Sequence, residues 1–394
     1  MLLINIKIMK KIYKSIPILL IALAIMGIFA SCNNEDVNKG TPEISYVRIT
    51  KPTASDSLLV AAGQGQMIAI IGDNLQNTRQ IWFNDQQASL TPTYITKTSI
   101  LVSVPSHIPI TVSNKLKIIF ANGDSLLYNF EVTINKPTIN SMDCEYTLAG
   151  GVATIRGDYF YLPITVTFPG GAAGTNVSVD VTNKILYVTV PAINQAGQIT
   201  VSSNFGSTKS DFWFRDDRNV FLSSDPFTGW WDASIVVTNP GPTDPPSING
   251  NYIRIVQKFG AWGWYDAAGG PASAMGDISK NIPDDAILHP SKYNFKFEVC
   301  TTKPYNGGGC LFWVGLTDYT NPNVKYYKWN PPVDTKGVWQ TIVIPYEDVV
   351  SGMGVPITVN HDGYFNRLSI QGATPLDCDM SFDNFRVVPK TLKQ

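Results

Sequence analysis

Beyond residue 40 the chain is written in short runs in which apolar and polar residues alternate, as in "MIAIIGD" from Met67, "YIRIVQ" from Tyr252 and "RLSIQG" from Arg367. A period of two puts every second side chain on one face, so each run reads as a strand with one face buried and the other wet. The runs are rich in Val, Ile, Thr, Phe and Tyr and are broken by Gly, Pro and Asn, residues that turn the chain. No segment past residue 40 sustains an apolar stripe at i, i+3, i+4 and i+7, and the pattern predicts an all-β protein. Further strands are expected at "YNFKFEVC" from Tyr293, "LFWVGL" from Leu311, "WQTIVIPYEDV" from Trp339 and "MSFDNFRVVP" from Met380.

The amino terminus departs from this alternation. After Met9 come Lys10, Lys11 and Lys14, then an apolar run of 14 residues from Ile16 to Phe29, shorter than a spanning helix requires. The layout predicts a secretory leader over residues 1–31, with Met9 an alternative start to Met1. The stretch "FASC" ending at Cys32 resembles a bacterial lipobox, which implies diacylation of Cys32 and an outer-membrane lipid anchor; two or three acyl chains hold where one does not. In the adjoining linker, 32–42, the run "NNED" from Asn33 resembles the surface-export signal of Bacteroidetes lipoproteins, which implies the cell surface.

An internal repeat organises the first half of the remaining chain. "MIAIIGDNLQNTRQIWFN" from Met67 lies on "VATIRGDYFYLPITVTFP" from Val152 at a shift of 85 residues, matching Gly72-Asp73 with Gly157-Asp158 and Leu75 with Phe160. Later, "ITKTSILVSVP" ending at Pro105 matches "VTNKILYVTVP" ending at Pro191 at a shift of 86, as one inserted loop residue would produce. In each copy the glycine is expected to take a positive φ, the aspartate to bond its own backbone, and the next apolar residue to drop into the core. This pattern resembles the IPT/TIG immunoglobulin-like domain, which implies one β-sandwich over 43–135 and a second over 136–215, both usually spacers. Short joints at Pro137 and at Asp216–Asn219 predict a stiff stalk.

Charge narrows the partners. Charged residues make up 15% of the 394 residues and the net charge is -1, so there is no basic field to attract nucleic acid. Of five cysteines, Cys32 is accounted for by the lipobox. Cys300 and Cys310 flank a hairpin-like loop and are a candidate disulfide, with free thiols the equal alternative, whereas Cys144 and Cys378 read as small buried hydrophobes. There is no CxxC, and the three histidines are far apart, so no metal site is expected. No cofactor is expected; a structural Ca²⁺ stays open, although no DxDxDG loop is present.

Residues 216–394 hold seven of the nine tryptophans and the strands of a third, larger sandwich, expected to be jelly-roll-like. "GVWQTIVIPYEDV" from Gly337 and "SFDNFRVV" from Ser381 resemble strands of carbohydrate-binding modules. The whole layout resembles the surface glycan-binding proteins of Bacteroidetes polysaccharide utilization loci, in particular the B type whose best-known members bind xyloglucan. The resemblance implies a non-catalytic lipoprotein that holds a neutral polysaccharide, a β-glucan or hemicellulose, near a TonB-dependent importer and surface glycosidases. It also implies an aromatic platform in this domain, carried onto Trp230, Trp231, Trp264 and Tyr265. Trp262 in "FGAWGWYDAAGG" and Trp329 in "KYYKWNPP" join them because rings beside Gly and Pro are set in turns. If "AWGWY" is extended, Trp262 and Trp264 point to one face and Tyr265 to the other. An exposed ring stacks on the C–H face of a sugar, and neighbouring glycines let a polymer approach. Trp313 and Trp339 read as core.

Two other function classes compete. An adhesin or protein-docking domain would use the same aromatic loops. A glycoside hydrolase or lyase needs two carboxyl groups about 5 to 9.5 Å apart; Asp232 and Asp266, each beside an aromatic residue, are the pair to test, and Glu298 and Glu347 stand away from the aromatic loops.

Overall fold

The computed structural model describes residues 40–390 except 52, 54–56, 183, 194, 232 and 306. The leader, Cys32, the acidic run and Asp232 therefore lie outside the described residues. Two units form, one ending at Thr133 and one beginning at Ile134.

In the first unit, Glu43–Ile49, Met67–Asp73 and Ser99–Ser103 make one antiparallel sheet. Gln86–Gln87, Thr78–Phe83, Lys115–Phe120 and Ser125–Asn129 make a second, in that order, and Ala61–Gly63 pairs in parallel with Glu131–Thr133. The inward set of the alternation, Val47, Ile68, Ile70, Ile81, Phe83, Ile100 and Leu116, is buried as the pattern requires. The second unit opens with the repeat of this plan: Thr138–Met142, Val152–Asp158, Ile185–Thr189 and Thr175–Asp180 face Ile164–Thr167, Gly197–Ser203 and Gly206–Phe214 across a core of Ile155, Phe168, Leu186, Val201 and Phe214.

The shared glycine works differently from the expectation. Neither Gly72 nor Gly157 has a positive φ; instead the preceding strand slips by one residue opposite each. A Cβ on Gly72 would lie 1.9 Å from the Glu43 carbonyl oxygen, and one on Gly157 1.9 Å from that of Thr138. Close approach of backbone is what requires glycine here. The positive φ falls two residues later, at +58° on both Asn74 and Tyr159, while Leu75 and Phe160 enter the core as expected.

The rest of the second unit is a two-sheet sandwich. One sheet runs Val236–Val237, Tyr252–Phe259, Leu376–Pro389, Tyr293–Thr301, Gln340–Pro345, with Val220–Leu222 also on the long strand. The other runs Trp264–Gly270, Phe365–Gln371, Gly309–Leu316, Tyr327–Trp329. Phe295, Phe297, Phe312, Phe382 and Phe385 interlock between them, Phe295 meeting Phe312 edge-to-face at 5.0 Å.

Two expectations are corrected. The run "WQTIVIPYEDV" is not one strand: it turns at Pro345 into a helix, Tyr346–Met353, whose Tyr346, Val349, Val350 and Met353 form an i, i+3, i+4, i+7 stripe that the strand-like alternation conceals. Glu347 and Asp348 lie in its first turn, where the helix dipole favours them. Cys300 and Cys310 do not pair; both are free. They sit on different sheets and in different clusters, Cys300 with Tyr252 and Trp339, Cys310 with the inter-sheet phenylalanines.

Candidate functional site

Alternation on the four-stranded sheet decides which aromatic residues face out. Along Gly309–Leu316, Phe312 and Val314 enter the core and Trp313 takes the opposite face. Trp264 and Asp266 share that outer face with Arg367 and Ser369, since Asp266 stands opposite Ser369 and Trp313 opposite Arg367. Tyr265 falls on the inner side, tilted against Phe259 at 5.6 Å and packed on the core.

Arg367 organises the face. Its guanidinium lies 5.1 Å from the ring of Trp231, 5.5 Å from Trp264 and 4.9 Å from Trp313, within cation–π range of all three. It also donates to Asp266 through Nε at 3.1 Å and through a second nitrogen. The same Asp266 oxygen accepts Trp264 Nε1 at 2.7 Å and Ser369 Oγ at 2.6 Å. Burial pushes this carboxyl up, but the bonds from Arg367, Ser369 and Trp264 outweigh it and hold Asp266 below the ordinary aspartate value. Three indoles and a charge are thereby held in one cluster.

The remaining rings extend the face in both directions. Trp230, 50% exposed, stands edge-on to Trp231 at 5.8 Å, Tyr319 at 5.7 Å and Phe365 at 5.8 Å. On the other side Tyr326 lies 5.5 Å from Trp313 and 6.4 Å from Trp264, which is 44% exposed. The glycines beside these rings serve the backbone rather than an approaching polymer. Trp230 donates its N–H to Gly269 O at 3.0 Å, and a Cβ on Gly229 would stand 2.3 Å from that oxygen. Only glycine lets the "FTGWW" segment lie on the end of the sheet.

Trp262 stands apart. It caps the turn Gly260–Gly263, closed by Gly263 N–H to Gly260 O at 3.0 Å, with φ at +62° and its ring 68% exposed. Its N–H is tied to Gly372 O at 2.7 Å.

Of the six aromatic candidates, Trp231 and Trp264 come together at Arg367, Trp230 packs against Trp231, and Trp262 is exposed on the neighbouring turn. Tyr265 faces the core side, and Trp329 must be withdrawn: it is 5% exposed, stacked on Tyr305 at 5.9 Å and edge-on to Phe297 at 5.4 Å. The Pro-Pro turn that suggested exposure follows a strand whose alternation points Trp329 inward. Sequence reasoning did not single out Arg367, Tyr319 or Phe365; Trp313, expected in the core, is buried at 7% exposure in a cluster with Leu311, Leu316, Met353 and Phe365, with Tyr326 and Arg367 packed against its ring. The polar alternates "RLS" on a strand carried the signal for Arg367.

No paired carboxylates stand on this face among the described residues: Glu298 is fully buried elsewhere, Glu347 pairs with Lys390, and Asp266 is occupied by its donors. A cavity of about 510 Å³ opens instead between the second repeat and the sandwich, where Asp143, Arg156, Lys296 and Thr341 line it without an exposed aromatic ring. Among the described residues no cluster of His, Cys, Asp and Glu could hold a metal ion.

Residues 214–389 match the family model described as the surface glycan-binding protein B xyloglucan binding domain, and residues 57–134 match the IPT/TIG domain. The chain is similar to IPT/TIG-bearing surface glycan-binding proteins of Bacteroidetes. An IPT/TIG domain-containing protein of Bacteroides ovatus is 32% identical over 163 residues, 39% of this chain and 33% of that relative. The chain thus matches a third of that relative's length. The surface glycan-binding protein PbSGBP-B from Prevotella bryantii superposes with a TM-score of 0.62 at 23% identity, over 89% of this chain and 99% of that one. The SGBP-B from a complex xyloglucan utilization locus in Bacteroides uniformis gives a TM-score of 0.50 at 20% identity, over 89% and 100%. At these identities the two structures establish the fold.

Proposed function

We propose that the chain is a non-catalytic polysaccharide-binding lipoprotein of the cell surface, whose third domain, residues 216–394, grips a neutral glucan chain on the outer face of its four-stranded sheet. The observation that carries this reading is the set of partly exposed rings, Tyr319, Trp230, Trp264 and Tyr326, each packed against another ring, beside the Trp231, Trp264 and Trp313 rings that Arg367 joins. Each ring can stack on a sugar, and the cost of ordering them is met before ligand arrives. Adjacent rings are turned by 78° and 80° about Trp230, which suits a single soluble chain better than a flat crystalline surface. The description of the matched family favours xyloglucan among neutral glucans.

The repeats over 43–135 and 136–215 act as spacers above an anchor at acylated Cys32. Several copies gripping one polymer gain by multivalency and raise its concentration near an importer and surface glycosidases. Glycan capture through stacked rings is insensitive to salt, unlike protein docking on a charged rim. Affinity electrophoresis of the chain in gels containing xyloglucan tests the reading. Retardation is expected, lost in Trp230→Ala and Trp264→Ala while thermal unfolding stays near wild type; wild-type mobility unchanged by xyloglucan or any other neutral glucan overturns it.

A further inference from the structure

The two repeats bend at the same turn, with φ at +58° on Asn74 in one and on Tyr159 in the other. Asn tolerates this left-handed conformation because its short side chain bonds locally, whereas a bulky residue there is strained. The residue two places further on differs in the same sense, Gln76 in the first copy and Tyr161 in the second. A third ring joins them from a hairpin tip. Gly197–Ser203 turns into Gly206–Phe214 on Asn204 and Phe205, whereas the first copy turns its corresponding hairpin on Ala121–Asp124, with Asn122 and Asp124 bonded to each other.

Tyr161 meets Phe205 edge-to-face at 5.9 Å and Tyr159 at 6.3 Å, and all three rings are partly exposed. Leu162, 60% exposed, continues the patch. Asp158, next to Tyr159 in the chain, is paired with Lys184 at 2.5 Å. Three rings at strained or loop-tip positions, where the sister copy uses polar residues, are not needed to fold this plan.

We infer that Tyr159, Tyr161 and Phe205 form a second stacking site on the second repeat, for a further stretch of the same neutral polysaccharide chain. The inference rests on the reading of the third domain as a glucan binder. A sugar ring stacks on exposed aromatic rings, and rings turned by 53° and 84° to one another match a twisting single chain, as on the main face. Both sites lie in the unit that begins at Ile134, so a polymer long enough to span them engages the second site intramolecularly.

Affinity electrophoresis of the full chain in xyloglucan gels tests this with four proteins: wild type, Tyr159→Asn/Tyr161→Gln, Phe205→Ala, and Trp230→Ala/Trp264→Ala. The first double variant installs the residues with which the sister turn already folds, and Phe205→Ala guards against an effect of that turn. Both second-repeat variants should bind the polymer about two- to tenfold more weakly, while calorimetric affinity for a single-repeat xyloglucan oligosaccharide stays at the wild-type value. Polymer binding equal to wild type in both overturns the second site and leaves the main face standing. Retardation that survives the tryptophan double variant but is lost in the second-repeat variants supports the second site and removes the main one. A wild type retarded by no neutral glucan overturns both.

Discussion

Trp262 holds a conformation that an L residue avoids, at the tip of a turn where a glycine would serve the backbone better. Replacing it with glycine should therefore stabilise the fold by about 1–2 kcal/mol in a denaturant titration while weakening xyloglucan retardation. A variant that gained stability with full binding would show that the ring has no part in capture. Asp266 makes the opposite kind of statement, because its bonds are stronger while it is ionised. Its folded pKa lies below the unfolded one, so the stability it contributes is complete above the ordinary aspartate value and is lost as pH falls through its own lower value. Binding should be level from neutral pH down to about pH 5 and fall only in stronger acid; a loss centred near neutrality would point to a different titrating group.

Gly72 and Gly157 belong to the scale of paired strands. Each allows a carbonyl of the neighbouring strand to pass where a Cβ would clash, so Gly157→Ala should cost about 3 kcal/mol, measured by thermal or denaturant unfolding, and Gly72→Ala a similar amount. Alternation makes the two sandwich plans and their inward residues legible, because Ile70 and Ile155 can be matched across the repeat without knowing a contact. The helix Tyr346–Met353 is hidden by brevity: one stripe of four residues behind a strand-like run gives little periodicity to see. Orientation in the site is legible only where a strand is certain. Trp264 and Tyr265 take the opposite faces that alternation assigns them, but the flanking prolines of Trp329 say nothing of its burial, which depends on Tyr305 and Phe297 arriving from distant sequence. The cysteine pair fails for the same reason, since a loop of suitable length does not say which faces its ends present. The thiols of Cys300 and Cys310 are pushed up by burial to about 11 and about 12, so neither should react with a thiol reagent before unfolding, and a reducing agent should leave the melting temperature unchanged. A melting temperature lowered by reductant would restore the disulfide.

In the whole second unit, the repeat and the sandwich are joined by charges that have left water together. Glu145 of the repeat accepts Lys296 Nζ at 2.5 Å and Arg386 at 2.7 Å, and Arg386 also grips Glu298 at 2.8 Å; all four side chains are at most 5% exposed. Around them Tyr146 donates to Asp216 O at 2.6 Å, and Thr341 N–H reaches Asp143 O at 2.8 Å from the sandwich side. Burial alone would lower the pKa of Arg386, but Glu298 and Glu145 outweigh it and hold it above the ordinary arginine value. Removing Glu145 leaves two cations facing one carboxylate, so Glu145→Ala should destabilise by about 3–5 kcal/mol. The same reasoning applies to an excised domain. Residues 216–394 alone keep Lys296, Glu298 and Arg386 and lose their partner, whereas residues 134–394 keep the balance. The longer fragment should unfold in one calorimetric transition and at the higher temperature. Should it instead melt in two steps, with the upper one matching the excised sandwich, the charge cluster would be a contact between independent domains rather than the bond that makes them one.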